Sequence, residues 1–268
     1  MTAPNVLVLT GYGVNCDHET QHAFGLAGAK AERVHVNDLI DAPERLAAYQ
    51  IIAFPGGFSF GDDIAAGRVL ANKFATHLRE PMRRFLDADK LVIGVCNGFQ
   101  VMVKMGLITP EARLMESQAT TLTYNDSNRY EDRWVWLKAE TSPCVFTRGV
   151  DRLYVPVAHG EGKFYAPDAV LDRLEAQGQV ALRYVAADGA PAGGAFPANP
   201  NGSPRDIAGV CDATGRVFGL MPHPERFLYF TNHPRWTAEA DRLRRAGQPV
   251  PEEGLGRIVF QNAVAYFA

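Results

Sequence analysis

A short apolar run that turns sharply into a helix is the feature that most limits what this chain can fold into. Residues 91–95, Leu-Val-Ile-Gly-Val, are apolar and rich in β-branched side chains, as in a strand buried on both faces. Cys96 follows directly, and residues 99–105 have a helical pattern that ends at Gly106. A buried strand that passes through a tight turn into a helix predicts an α/β fold.

Cys96 lies at the apex of that turn. There we expect it to leave the sheet and to lie at a helix N-terminus, where backbone dipoles and free N–H groups favour the thiolate. The sequence Gly-Val-Cys-Asn-Gly (94–98) is the cysteine counterpart of a nucleophile elbow, with glycines where side chains would crowd the turn. A buried free cysteine is more often only a small hydrophobic residue. The prediction of a nucleophile therefore requires a base elsewhere in the chain.

His223, in Met-Pro-His-Pro-Glu-Arg (221–226), is the candidate base. It follows a strand pattern, so we expect it at the same kind of sheet edge as Cys96. Pro224 biases His223 toward extended backbone, in which residues two apart point the same way. Glu225 can then accept a hydrogen bond from one ring nitrogen while the other nitrogen takes the thiol proton. The alternative is a surface histidine in a proline turn.

A glycine turn at 55–58, Pro-Gly-Gly-Phe, is the candidate site for developing negative charge. Adjacent glycines let backbone N–H groups face a ligand without steric hindrance. The N–H of Gly57 and that of Asn97, the residue after Cys96, are the predicted oxyanion donors. The alternative is an ordinary turn.

Two further residues compete for the catalytic roles. Cys16 also follows a strand and precedes a helix, but it lacks the flanking glycines, so a structural role is favoured. His159, in His-Gly-Glu-Gly (159–162), is an alternative base, and we expect this loop to line the substrate pocket instead.

Composition excludes several classes of protein. With 268 residues, 47% of them hydrophobic, the chain can bury a large core, and we predict one domain over residues 1–268. The net charge of −3 is spread without a basic stripe, which argues against nucleic acid, and no apolar run approaches the ~18 residues of a membrane span. The four cysteines lack metal-ligand spacing, so no metal site is expected. The chain runs almost at once into a strand, which favours a cytoplasmic protein.

The wider pattern alternates strands with helices and predicts a parallel sheet covered on both faces, with ligands beyond the carboxyl ends of its strands. Residues 188–204 are crowded with Gly, Pro and Asn and predict a long surface loop. The expected strands are 5–10, 31–36, 51–54, 133–137, 153–157, 180–185 and a hairpin of 207–211 with 217–221; the expected helices are 18–27, most of 62–86, and 258–267.

The motifs at 55–63, 94–100, 159–162 and 219–226 together resemble the class I (triad) glutamine amidotransferases, and within that family the branch that serves purine synthesis. The resemblance implies a flavodoxin-like core with a mostly parallel sheet and an additional β-rich antiparallel portion. It also implies a Cys96–His223–Glu225 triad that hydrolyses L-glutamine. Glutamine contacts are implied for Gly56, Gly57, Phe58 and Gln100.

By the same resemblance, this chain needs no cofactor of its own. Its ammonia would pass to a synthetase subunit that uses ATP and Mg²⁺, with a small third subunit in the complex. Residues 228–256 resemble an insertion relative to compact family members. Three alternatives stay open: a glutaminase of another pathway, a non-catalytic binding module on the same scaffold, and a DJ-1/PfpI-like cysteine hydrolase.

Overall fold

Short apolar strands alternate with helices in the computed structural model, which describes residues 3–108 and 118–268. The strands are β1 (Asn5–Thr10), β2 (Lys30–His35), β3 (Ile51–Phe54), β4 (Leu91–Val95), β5 (Thr121–Thr123), β6 (Glu131–Ala139), β7 (Arg152–His159), β8 (Lys163–Tyr165), β9 (Val180–Val185), β10 (Ile207–Cys211) and β11 (Val217–Leu220). The helices are α1 (Asp17–Leu26), α2 (Val36–Asp41), α3 (Arg68–Lys73), α4 (Arg79–Asp87), α5 (Asn97–Lys104), α6 (Asp168–Ala176), α7 (Trp236–Arg245) and α8 (Arg257–Ala265).

Nine of the strands form one mixed sheet, with strand order β2-β1-β3-β4-β11-β10-β9-β6-β7, and β5 and β8 form a separate antiparallel pair. The five strands from β2 to β11 are mutually parallel, and the remaining four continue the sheet in antiparallel fashion. Every residue of β3 and β4 is buried, as expected of strands covered on both faces. The predicted flavodoxin-like fold with an antiparallel extension is confirmed.

The hairpin of β10 and β11 turns at residues 212–216, as predicted. The Asp212 carboxylate accepts hydrogen bonds from the N–H groups of Arg216 and Val217, which fixes the turn. The consequence matters for function, because β11 returns into the sheet beside β4, parallel to it.

The region predicted as mostly helical, 62–86, is helical in pieces. Asp62, the first residue of that region, has a left-handed backbone conformation (φ 54°), which is incompatible with a right-handed helix at that point. Helix α3 begins at Arg68, and a π-helical turn (Phe74–Leu78) connects it to α4.

The predicted surface loop at 188–204 is wrong for its last part. Asn199, Asn201 and Ser203 are buried. Their side chains bond to one another and to neighbouring backbone, and the Asn201 amide donates to the Gly162 carbonyl oxygen at 2.8 Å. A polar sequence can turn inward when its own amides satisfy the buried backbone.

Residues 228–256 lie between the 3₁₀ turn at Pro224–Arg226 and helix α8. The Phe230 N–H donates to the Glu252 carbonyl, and the Gly254 N–H donates to that of Leu228, so the two ends of the segment lie side by side. Helix α7 lies within the segment and buries only Ala240. Across residues 3–108 and 118–268, no helix is long and apolar enough to cross a membrane.

Candidate active site

Four neighbouring parallel strands, β1, β3, β4 and β11, end at the same edge of the sheet. Cys96 directly follows β4, and the glycine turn at 55–57 directly follows β3. Leu220 at the end of β11 is in register with Val95, so His223 emerges beside Cys96. Residues far apart in the sequence therefore meet because their strands are neighbours.

Cys96 has the strained backbone of a nucleophile elbow, with φ 51° and ψ −107°. Its N–H donates to the Leu220 carbonyl oxygen at 2.8 Å, and its carbonyl accepts the first helical bond from Gln100. The side chain is buried, with Sγ 3.7 Å from the Ala158 carbonyl oxygen. The turn thus fixes the thiol at the N-terminus of α5.

His223 and Glu225 form a buried pair. Nδ1 of His223 lies 2.6 Å from Oε1 of Glu225, and it must donate because the carboxylate can only accept. The contact was predicted, but the extended-backbone reason for it was wrong. Residues Pro224–Arg226 form a 3₁₀ turn, which brings Glu225 back toward the ring.

The other ring nitrogen of His223, Nε2, is buried and makes no hydrogen bond of good geometry within the described residues. Burial acts to lower the pKa of His223, but the charges of Glu225 and Cys96, together with the nearby Cys16 and Cys96 sulfur atoms, outweigh it. The result is a His223 pKa held well above its ordinary value. An imidazolium facing the Cys96 sulfur is therefore favoured at neutral pH.

The hydrogen bonds of the glycine turn narrow the choice of oxyanion donor. The Phe58 N–H already donates to the Gly13 carbonyl oxygen at 2.7 Å, and the Gly56 carbonyl accepts from the backbone N–H groups of Asn15 and Cys16. Gly57 has φ 146°, which favours glycine, and its N–H remains a candidate together with that of Asn97 in the first turn of α5.

The side chains of Asn97 and Gln100 are held by the protein itself. Asn97 accepts from the Ser59 N–H and donates to Asp62 and to Oε1 of Gln100. The Gln100 amide donates to the Glu161 carbonyl oxygen at 2.7 Å. These bonds tie α5 to the loops on either side of the pocket.

A cavity of about 230 Å³ opens above Cys96. Of the residues predicted to contact substrate, Gly57, Phe58 and Gln100 line this cavity, and Gly56 and Asn97 are the chain neighbours of lining residues Gly57 and Cys96. The aromatic rings of Phe58 and Tyr130 are exposed at the mouth, with centroids 6.3 Å apart.

Charged groups also line the cavity. Asp62 and Glu161 are neighbours whose pKa values are raised, chiefly by burial, and Arg129 lies in the same lining. The pocket thus offers groups of both signs, as the ammonium and carboxylate of a free amino acid require.

His159 lies in the pocket wall, as predicted for its loop. Its Nδ1 lies 3.0 Å from Oδ1 of Asn125, which also accepts the Gly162 N–H, so His159 is the donor. Burial, and then the charge of His223, lower its pKa to about 4. His159 is therefore neutral at physiological pH, with Glu225 bonded to His223 rather than to it.

Sequence analysis did not identify two of the neighbours of His223. Cys16 and Arg226 lie beside His223, and the Arg226 guanidinium donates to the Cys16 sulfur at 3.1 Å. The signals were faint: Cys16 follows β1, and Arg226 directly follows Glu225.

Cys16, His223 and Glu225 offer sulfur, nitrogen and oxygen atoms within 4.8 Å of one another, a set that could hold a soft metal ion. The His223–Glu225 bond and the guanidinium on the Cys16 sulfur already occupy these atoms. The arrangement suits proton transfer better than metal binding.

Comparison with known proteins identifies the family of this chain. A family model described as a CobB/CobQ-like glutamine amidotransferase domain matches residues 3–267. The phosphoribosylformylglycinamidine synthase subunit PurQ of Methanococcus maripaludis is 46% identical over 265 residues, covering 98% of this chain and 97% of that protein. The subunit of the same name from Dehalococcoides mccartyi is 47% identical over 267 residues, covering 99% and 98%.

Solved structures agree. A chain of the PurLQS structure from Thermotoga maritima superposes with a TM-score of 0.71 at 30% identity, with both chains fully covered. A glutamine amidotransferase from Thermotoga maritima has a TM-score of 0.50 at 15% identity over 98% of this chain and 91% of that one. The second likeness shows the shared fold alone.

Proposed function

The chain belongs to the CobB/CobQ-like glutamine amidotransferase family, and we propose that it is the glutaminase subunit of phosphoribosylformylglycinamidine synthase. The observation that carries the chemistry is a cysteine at a strained elbow beside a buried histidine whose far nitrogen is held by a carboxylate. The assignment to this synthase is supported by the two PurQ subunits, which match nearly the whole chain.

The first step is attack of the Cys96 thiolate on the side-chain amide carbon of glutamine. A carbon–sulfur bond forms and the carbonyl oxygen becomes an oxyanion, for which the N–H groups of Gly57 and Asn97 are the proposed donors. The imidazolium of His223 then gives its Nε2 proton to the departing nitrogen, so ammonia leaves and a glutamyl thioester remains.

The second step is hydrolysis. His223, now neutral, takes a proton from water as the water attacks the thioester, and glutamate leaves with the Cys96 thiolate restored. Glu225 keeps Nδ1 protonated and the ring oriented throughout. The charged groups of the cavity, Asp62, Glu161 and Arg129, support a free amino acid as substrate.

Ammonia is proposed to pass to a synthetase subunit of the PurL kind, which uses ATP and Mg²⁺. The likeness to a chain of the PurLQS structure from Thermotoga maritima supports the synthetase partner. We also propose a third subunit of the PurS type in the complex. We propose that this chain itself needs no cofactor and that it is cytoplasmic. The near-complete match to PurQ proteins disfavours the glutaminase of another pathway and the DJ-1/PfpI-like hydrolase.

The test uses the assembled complex with a Cys96→Ser chain. We expect glutamine-dependent synthesis of the amidine to fall by about a thousand-fold or more, because the nucleophile is gone. Synthesis from added ammonia should continue at the unaltered rate, since that step needs only the synthetase.

Cys144→Ser is the matched control and should support both reactions, because Cys144 is a buried free cysteine whose neighbour Val145 bonds to Gly215 in the β10–β11 turn, at the end of β11 away from His223. Full glutamine-dependent synthesis by the Cys96→Ser complex would exclude the proposed role and favour a non-catalytic binding module.

A further inference from the structure

A second sulfur atom lies next to the catalytic base. Cys16 is 1% exposed, and its sulfur lies within 4.8 Å of a ring nitrogen of His223 and of a carboxylate oxygen of Glu225. A Cβ atom added to Gly56 would lie 3.3 Å from the Cys16 sulfur, 2.8 Å from Cε1 of His223 and 3.5 Å from the Cys96 Cβ. Gly56 thus marks the point where the two cysteines converge on the imidazole.

The position of Cys16 is fixed from two sides. The backbone N–H groups of Asn15 and Cys16 both donate to the Gly56 carbonyl oxygen, at 3.2 and 3.1 Å. The Thr20 hydroxyl donates to the Cys16 carbonyl oxygen at 2.7 Å at the start of α1. The β1–α1 connection therefore holds this sulfur against the β3 turn.

Arg226 gives the Cys16 sulfur its electrostatic character. The guanidinium, which is always protonated, donates to Sγ at 3.1 Å, so this sulfur acts as a hydrogen-bond acceptor. Burial acts to lower the pKa of Arg226, but the contact with Cys16 outweighs burial, and the pKa of Arg226 is raised. The sulfur is thereby prepared as a hydrogen-bond acceptor.

A single bond does not fully orient an imidazole. Glu225 holds Nδ1, and while Cys96 carries a free sulfur it faces Nε2. Once Cys96 is bonded to substrate, its sulfur belongs to a neutral thioester and is a poor hydrogen-bond acceptor. The orientation of the Nε2 edge of the ring then depends on its other neighbours. That is the stage at which Nε2 must aim first at the departing nitrogen and then at water.

We propose that Cys16, held by Arg226, is a positioning residue that supports the Nε2 edge of His223 while the Cys96 sulfur is bonded to the substrate. Sulfur is a weak acceptor, so it orients the Nε2–H without retaining the proton against the leaving amine. No covalent bond to Cys16 forms or breaks. The inference rests on the glutaminase function proposed above.

The test compares Cys16→Ala, Cys16→Ser and the unaltered chain in the assembled complex. Cys16→Ala should lower the glutamine-dependent kcat on the order of ten-fold with less than about a two-fold change in KM, because substrate contacts are retained. Cys16→Ser, which keeps an acceptor, should recover most of that loss. Ammonia-dependent synthesis should be unchanged in each complex.

The pH profile of kcat separates positioning from simple loss of packing. The charged or titratable groups around His223 are Glu225, Cys96, Cys16, Arg226, His159 and Tyr130. The Cys16 sulfur raises the pKa of His223, so Cys16→Ala should move the alkaline limb to lower pH. Arg226→Gln, which leaves the buried thiol in place but removes the hydrogen bond that holds it, should lower kcat as Cys16→Ala does.

Cys144→Ala is the control for deletion of a buried thiol. It should lower the melting temperature without moving kcat or the alkaline limb. An unchanged kcat and pH profile in both Cys16→Ala and Arg226→Gln would overturn the inference while leaving the glutaminase function intact. Absence of glutamine-dependent synthesis by the unaltered complex would instead overturn the function. If Cys144→Ala lowered kcat as much as Cys16→Ala does, Cys16 would have only a packing role.

Discussion

Two buried histidines of the site have opposite charge preferences, although each donates a ring N–H to an oxygen acceptor. His223 faces the Glu225 carboxylate and has a raised pKa, whereas His159 faces the neutral amide of Asn125 and has a pKa of about 4. The charge of the partner, and not burial, sets the difference. His223 stabilises the fold below about pH 6.5, and that contribution is lost as pH rises through its raised pKa.

For His159 the sign is reversed. Between about pH 6.5 and 4 the unfolded chain binds a proton that the folded chain does not, so this residue lowers the free energy of unfolding as pH falls. A shift of this size corresponds to about 3 kcal/mol over that range. His159→Gln should flatten the loss, measured as urea midpoints at pH 7 and pH 4. Parallel pH dependences for the variant and the unaltered chain would contradict the assignment.

At the scale of elements, the elbow works because α5 lies directly on β3. A Cβ on Gly98 would overlap the Phe54 carbonyl oxygen, and one on Gly94 would overlap the Met102 sulfur. The two glycines that suggested an elbow are therefore required by the close approach of helix to sheet. The crossing also determines how far Cys96 projects from the sheet edge.

Gly98→Ala tests that crossing. The added methyl would meet the backbone of Phe54, so we expect a loss of about 3 kcal/mol in the free energy of unfolding. Gly25→Ala in α1 is the matched control, because its Cβ meets no atom within 4 Å. That change should stabilise by about 0.5–1 kcal/mol. The free energy of unfolding of both variants is measured by urea denaturation. No loss of stability in Gly98→Ala would mean that α5 can move away from β3 at no cost.

At the scale of the whole molecule, the C-terminal helix α8 joins distant parts of the chain. The Phe260 ring meets that of Phe24 in α1 edge-on, with centroids 5.0 Å apart, and both are buried. The Asn262 amide donates to the backbone carbonyls of Phe146 and Arg148. These contacts support the prediction of one domain.

If that prediction is right, the chain unfolds in one cooperative transition. Phe260→Ala should lower the free energy of unfolding by about 3–5 kcal/mol and keep the transition single. Leu255→Ala, at a side chain that is 45% exposed, should change it by less than about 1 kcal/mol. Calorimetry would show two separate transitions if residues 1–268 were in fact two independent domains.

The sequence by itself determined the features that depend on neighbouring residues. The buried apolar runs of β3 and β4, the glycine-flanked turn at Cys96 and the proximity of His223 to Glu225 are all local patterns, and each is found in the structure. Even there the 3₁₀ turn after His223 was missed, because a proline at the next position fits more than one backbone path.

Only the tertiary structure decided which residues from distant segments meet. The insertion of β11 beside β4 places His223 next to Cys96, the β1–β3 pairing brings in Cys16, and the buried end of the 188–204 loop brings Asn201 to His159. Such pairings are set by the summed packing of many residues across the sheet, whose free energies no short stretch of sequence contains.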